Sequence, residues 1–495
     1  MTRRVTILVV FLLVCVYLFW ISATHLSLLG ENDEGIYVDG GWRILHAQMP
    51  YKDFFSLSGP GSFFLVATSL WGFGVNLAAA RMPAIFDLAL LTSCVCWLTW
   101  RLAGRVAAIV TAVTFVSLET LWQGVQVNHR WDSSAWMTLA AALVFYALTR
   151  VERDDRSVMA SAVAGFAATV AVSCTPPVAM AGAALFVCLL FAGKRLAAGF
   201  FAGITLGCAL YFGVLASRGA IEPMIRSMAW ASKNYGVANR TYYGWVIGGY
   251  GNLFRDAAGF ELLVTAVAVI FITLPATLPF LSALWIWKRP PLPIVALLAC
   301  GAGLILSSYP RWDLIHLNYV AALFYVLAGS LIATFRFRKT AALAAIFAAA
   351  MGLGLTANRR LTEPSRATSF GVVHGNPADL EAMAMLQQHV RPSDTLFVFP
   401  YRPVAYFLTA ARNPTRYSFL QPGMFPEVDA NQALRELQTE PPHWLIYSEV
   451  PDAEILRIWP VSDPARLHMT GIESFIRDRY QKIDQSSELQ LLELK

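Results

Sequence analysis

The sequence predicts a mainly α-helical, polytopic membrane bundle of about 11 transmembrane helices, N-terminus in and C-terminus out, with a small C-terminal α/β extracytoplasmic domain. Three observations predict it. Charged residues are only 14% of the 495 residues, against roughly 25% in soluble domains, and the deficit lies in long apolar runs. Lysine and arginine recur at alternate junctions between those runs. Beyond residue 356 the runs stop, and short helix-like and strand-like stretches alternate with proline-rich turns.

The apolar windows lie near 5–23, 79–100, 106–122, 133–149, 157–173, 178–192, 197–216, 259–287, 292–307, 318–335 and 340–356. The first follows Arg3 and Arg4 but is longer than the apolar region of a signal peptide, so a retained helix is expected. The window 259–287 is long enough to tilt or to begin outside the bilayer. Basic junctions hold Arg3/Arg4, Arg101/Arg105, Arg150/Arg153/Arg156, Lys194/Arg195, Lys288/Arg289 and Arg336/Arg338/Lys339. The short connections of the other side hold only Arg130 and Arg311. This register puts the N-terminus in the cytoplasm and three larger pieces outside: a first loop (24–60, with an apolar continuation to 77), a middle loop (217–258) and the tail. Residues 1–356 are therefore read as a transmembrane domain and 357–495 as a domain on the outer face. In the tail, 380–390, 430–437 and 472–483 read as helix, and 395–399 and 444–447 as strand.

The net charge of +6 does not mark a nucleic-acid binder, because the cations punctuate apolar runs and form no stripe. The seven cysteines all sit in or beside apolar segments, with no CxxC pair and no zinc spacing, which argues for small apolar fillers. No metal motif is present; a divalent cation remains an open expectation.

The first loop reads ENDEGIYVDGGWRILHAQMPYKDFFSLSGPG. Asp33 and Glu34 follow the first span closely, with Asp39, Arg43, His46, Lys52 and Asp53 behind them. Residues 36–45 suit a short amphipathic helix along the interface, stopped near Pro50, and the GPG at 59–61 turns the chain back. Taken alone, these acids equally describe a solvated loop.

Asp33-Glu34, then GGWRILHAQMPYKDFFSLSGPG, then many spans, resembles the C-type glycosyltransferase superfamily. The likeness is closest to the family-39-like branch, with its protein O-mannosyltransferases and its aminoarabinose and galacturonosyl transferases, and covers residues 1–356. It implies a hexosyl- or pentosyltransferase that takes its sugar from a polyprenyl-phosphate donor, inverts the anomeric centre and passes the sugar to an envelope acceptor. It also implies a multi-pass protein of the bacterial inner membrane with its active site facing the periplasm. The family's reaction-centre acid maps to Asp33, with Glu34 orienting the acceptor or binding a cation. The chemistry agrees, since a poorly nucleophilic hydroxyl needs a carboxylate to take its proton. A departing lipid phosphate needs positive charge.

Other candidates stand on weaker patterns. In QGVQVNHRWDSS, Asp132 is either a further site acid or a helix-end residue, with His129 beside it. Asp87, inside the second span, is a functional acid or a partner of Arg81. In the middle loop, Arg226, Lys233, Tyr235 and Arg240 are candidates to grip a phosphate and stack on a sugar, or an interfacial aromatic belt with snorkelling arginines. In SSYPRWDLIHLNY, Arg311, Asp313 and His316 contact the donor phosphate or only each other. One departure is notable: SCTPPVAM at 173–180 offers only Ser173 and Thr175 where some relatives carry a phosphate-facing lysine. Arg43, His46 and Asp53 complete the candidate substrate contacts. Two other classes compete with the enzyme. A transporter or flippase of a lipid-linked precursor would depend on Asp87, although no repeat of the kind such proteins carry is visible. A glycan-binding scaffold would use tail aromatics such as Tyr401, Tyr406, Tyr417 and Trp444, which are otherwise core.

Overall fold

The computed structural model describes residues 3–29, 33–122, 124–150, 154–255, 257–368, 370–487 and 489–495. Glu31 and Asn32 of the acidic loop, Arg153 of a basic junction and Asp256 of the middle loop lie outside the described residues. The chain divides into two compact units, one of residues 1–21, 83–214 and 242–358, the other of 22–82, 215–241 and 359–495.

The first unit is helical, and each of the eleven apolar windows carries helix, from Arg3–Ser22 to Arg338–Thr362. Among the described residues five helices are long and apolar enough to cross a bilayer unaided: Arg4–Ser22, Leu77–Ala103, Asp155–Cys174, Lys194–Ser217 and Arg338–Thr362. A sixth arises if Glu261–Ile272 and Leu274–Lys288, bent by 53°, count as one. Pro275 and Pro279 follow that bend, and each removes a helical N–H. Shorter apolar helices cover Pro176–Ala192, Leu292–Ser307 and Ala322–Ile332, the last separated from Leu314–Tyr319 by a break in the window 318–335.

Small residues set a close helix contact. Gly199, Gly203 and Gly207 form a ridge at four-residue spacing on Lys194–Ser217. A Cβ on Gly203 would lie 1.9 Å from the Ala162 carbonyl oxygen of helix Asp155–Cys174. With no hydrophobic drive between helices in lipid, such backbone-to-backbone approach supplies the packing.

The second unit gathers three stretches of sequence. A four-stranded sheet runs in the order Leu396–Phe399, Trp444–Tyr447, Leu489–Leu494, Tyr480–Ser486, with only the first pair parallel. Leu396 registers with Trp444 and Phe399 with Tyr447. The two strands expected in the tail are present, and helices Pro377–His389, Glu427–Thr439 and Thr470–Arg479 correspond to the three helix-like stretches. The third helix expected over 472–483 stops at Arg479, because from Tyr480 the chain pairs with the last strand instead. That edge strand carries Lys482 and Asp484 and a bulge between them, devices that discourage further pairing. Phe397, Phe399, Tyr417, Phe419, Phe425 and Leu445 build the core. Phe55 from the first loop and Trp230 from helix Ile221–Asn239 pack into it, Phe55 with ring centroids 4.8 Å from Trp230 and 5.3 Å from Phe425. Tyr401, Tyr406, Tyr417 and Trp444 are buried, so they do not form an exposed glycan-binding face.

Candidate functional site

Helix Asp33–Leu45 carries the first-loop acids. Asp33 is its exposed first residue, where a carboxylate also complements the helix dipole. The Tyr401 hydroxyl donates to Asp33 Oδ1 at 2.8 Å. Glu34 is buried and bonds Arg81 through both oxygens, Nε to Oε1 at 2.8 Å and Nη2 to Oε2 at 2.5 Å. Arg81 Nη1 also donates to the Ser22 carbonyl at 2.6 Å and to that of His25. Of the two readings of Asp87, the pairing with Arg81 is therefore corrected. Six residues on a helix are about 240° apart, so the two side chains leave different faces. Asp87 instead lies beside Asp132 in the other unit, and both side chains are buried.

The rest of the first loop is tied to the tail. Asp39 accepts from Ser418 Oγ at 2.6 Å, and burial pushes its carboxyl up against the opposing pull of Arg43 and that bond. Arg43 is buried, donates to Gln48 Oε1 at 2.5 Å and to the Thr415 carbonyl at 3.4 Å, and stacks on Phe54. Asp53 accepts from the Met49 amide at 2.7 Å, and His46 Nδ1 lies 2.9 Å from the Trp42 carbonyl. Leu28 and Leu29 donate their amides to Asp379 at 2.8 and 2.6 Å. Helix Asp33–Leu45 also needs a glycine at 35, where a Cβ would sit 2.2 Å from the Val404 nitrogen. Gly35→Ala is expected to cost about 1–3 kcal/mol through forced separation of the two backbones, read as a lowered unfolding midpoint.

Of the middle-loop candidates, Arg226 is exposed and pairs with Glu222, Lys233 and Arg240 are exposed, and Tyr235 packs half-buried against the tail core. Trp230 Nε1 donates to Asp429 at 2.8 Å, and Ser227 Oγ to the Ser56 carbonyl at 2.6 Å.

In the helical unit, Arg311, Asp313 and His316 come together. Arg311 Nε donates to Asp313 Oδ2 at 2.7 Å, while the His316 amide and Nδ1 lie 2.9 and 2.8 Å from Oδ1. Asp313 is buried, so this is not a surface pair. Burial works against its charge, but His316 and Arg311 outweigh it and hold the carboxyl well below the usual carboxylate range. His316 is pushed down by burial, and Arg311 and Arg130 add to that while Asp313 opposes it. Arg130 donates to the Ser307 carbonyl at 3.0 Å, and His129 Nδ1 lies 2.8 Å from Thr175 Oγ1. The result is an excess of basic groups around one buried acid.

A cavity of about 410 Å³ lies in the same unit, lined by Leu121, Val267, Phe271, Phe347 and Leu355 among others, with Asn318 and Tyr325 as its polar wall. Asn318 donates to Glu119, a fully buried acid of helix Arg105–Trp122. Sequence reasoning passed over Glu119, although a single acid inside an apolar run is signal enough. In the sequence Tyr401 reads only as a surface or core aromatic, and nothing there aims it at Asp33. Among the described residues no group of three or more His, Cys, Asp or Glu side chains is placed to hold a metal ion.

This fold is shared with solved structures of other proteins. Two solved structures illustrate it. ArnT from Cupriavidus metallidurans bound to undecaprenyl phosphate superposes with a TM-score of 0.60 at 12% identity, over 99% of this chain and 97% of that one. The Archaeoglobus fulgidus oligosaccharyltransferase AglB, in complex with an inhibitory peptide and a dolichol-phosphate, matches with a TM-score of 0.52 at 12% identity, over 90% of this chain and 70% of that one. By sequence, no family model and no curated protein matches the chain.

Proposed function

We propose that this protein is an inverting glycosyltransferase of the bacterial inner membrane. It moves a hexosyl or pentosyl group from a polyprenyl-phosphate donor to an envelope acceptor (lipid, glycan or protein) on the periplasmic side. The exposed Asp33 carboxylate at the head of the first-loop helix carries this reading. In the proposed step the acceptor oxygen bonds to the anomeric carbon and its proton passes to Asp33. The bond from that carbon to the phosphate oxygen breaks, and its electron pair leaves with the lipid phosphate. A single displacement of this kind inverts the centre.

The leaving group sets two further demands. Positive charge must meet the phosphate, and the guanidiniums of Arg311 and Arg130 beside His316 suit that role, with Arg311 and an N–H of His316 as the proposed contacts. The polyprenyl chain must lie in an apolar groove, and the cavity beside Phe271, Phe347 and Leu355 has that lining. Undecaprenyl phosphate and dolichol phosphate, the lipids held by the two structural neighbours, share this chemistry. We further propose residues 1–356 as the catalytic membrane domain, with 357–495 on the periplasmic face.

The full-length protein in nanodiscs is expected to bind undecaprenyl phosphate, detectable by native mass spectrometry. Arg311→Ala should weaken that binding about tenfold or more, since one charge-assisted contact is lost and Asp313 loses its counter-ion. Unchanged binding in Arg311→Ala would remove this cluster from the phosphate site. Failure of the parent protein to bind any polyprenyl phosphate would sink the donor assignment.

A further inference from the structure

The proposed transfer step takes no group from the tail, yet one tail side chain touches the proposed base. We propose that Tyr401 is a positioning residue that fixes the Asp33 carboxylate for proton abstraction, so that the C-terminal segment completes the transfer centre. This rests on Asp33 being the base.

An exposed aspartate at a helix start rotates about two side-chain bonds, and a general base works only within hydrogen-bond reach of the proton it takes. The Tyr401 hydroxyl holds Oδ1 at 2.8 Å and so restrains the swing of the carboxylate. The phenol is itself held firmly. Its ring meets Phe419 edge-on at 5.1 Å and Trp459 at 6.3 Å, and Tyr401 is 9% exposed. It sits just past the end of strand Leu396–Phe399, and helix Val404–Thr409 follows at once. That helix meets Asp33–Leu45 at Gly35, two residues from the base. The Asp39–Ser418 and Arg43–Thr415 bonds tie the same two pieces of chain further along. Donor and acceptor therefore belong to one braced frame, the arrangement a catalytic constellation needs to hold its geometry.

A purely structural bond would dock the tail without affecting the chemical step. The test uses the full-length protein in nanodiscs, a panel of undecaprenyl-phosphate hexoses and pentoses, and an envelope extract as acceptor. Tyr401→Phe keeps the ring and its packing, and should unfold within about 4 °C of the parent. With the donor that is turned over, it is expected to lose about 10–100-fold in kcat with donor KM unchanged. Added to Asp33→Asn, it should cost nothing more, because the two act as one unit. Infrared spectroscopy with 13C-labelled aspartate gives a readout free of activity: the carboxylate band that Asp33→Asn removes should shift in Tyr401→Phe. Loss of activity in Asp33→Asn with full kcat in Tyr401→Phe, or an unshifted band, overturns the positioning role and leaves the enzyme reading standing. Full activity in Asp33→Asn overturns that reading, and this role with it.

Discussion

Asp33→Asn is expected to lower kcat for transfer from a polyprenyl-phosphate sugar by about 10²–10⁴-fold, the usual worth of a positioned general base. The amide has the size of the carboxylate and still accepts from Tyr401, so geometry is kept while the ability to take a proton is removed. Donor KM should stay near that of the parent, since the lost interaction belongs to the transition state. Stability should hardly change, because the side chain is exposed and gives up only a helix-dipole contribution of about 0.3–1 kcal/mol. Initial rates at saturating donor, alongside an unfolding curve, separate the two effects. Full residual turnover would exclude Asp33 as the base.

Arg81→Ala should act the other way round, through the fold. Arg81 and Glu34 are each 2% exposed and form a bidentate pair, and the same guanidinium caps the carbonyls of Ser22 and His25. Truncating it leaves a buried carboxylate without its counter-ion and takes one donor from each of two carbonyls, a loss of about 3–5 kcal/mol. The damage is centred on the stretch leaving the first helix and on the start of Asp33–Leu45, so limited proteolysis should cut near residues 22–34 first. The double replacement Arg81→Met with Glu34→Met should regain much of the stability, because both charges are then gone. If Arg81→Ala unfolds like the parent, the pair contributes nothing and Glu34 is available for another role.

Much of this was legible in the sequence, for reasons that differ by level. Apolar windows show the helices because a bilayer demands about 20 apolar residues whatever lies next to them. Strands 396–399 and 444–447 are short runs of Leu, Phe, Val, Trp, Ile and Tyr bounded by turn residues, so local pattern suffices. The strand after Tyr480 reads as helix because Gln481, Lys482 and Asp484 lie on a sheet edge where no buried alternation is imposed. Among the candidate residues, Arg311, Asp313 and His316 could be grouped because they are neighbours in sequence. The partners of Arg81 and Asp33 could not, because they lie 47 and 368 positions away and only the fold brings them close. Arg43 and Asp39 read as charges of an interfacial helix or a solvated loop, yet they are buried and bonded to tail residues that the sequence gives no reason to place there.

The separation of Asp33 from Tyr401 also has a meaning in time. A ribosome adds about 5–20 residues per second, so the phenol emerges on the order of tens of seconds after the carboxylate it holds. During that interval the nascent chain already carries its acidic helix but lacks the group that aims it. On the reading proposed above, transfer competence is therefore delayed until the far end of the chain has been made and folded back. On that reading, a stalled or truncated product ending before residue 401 would spend donor lipid only slowly.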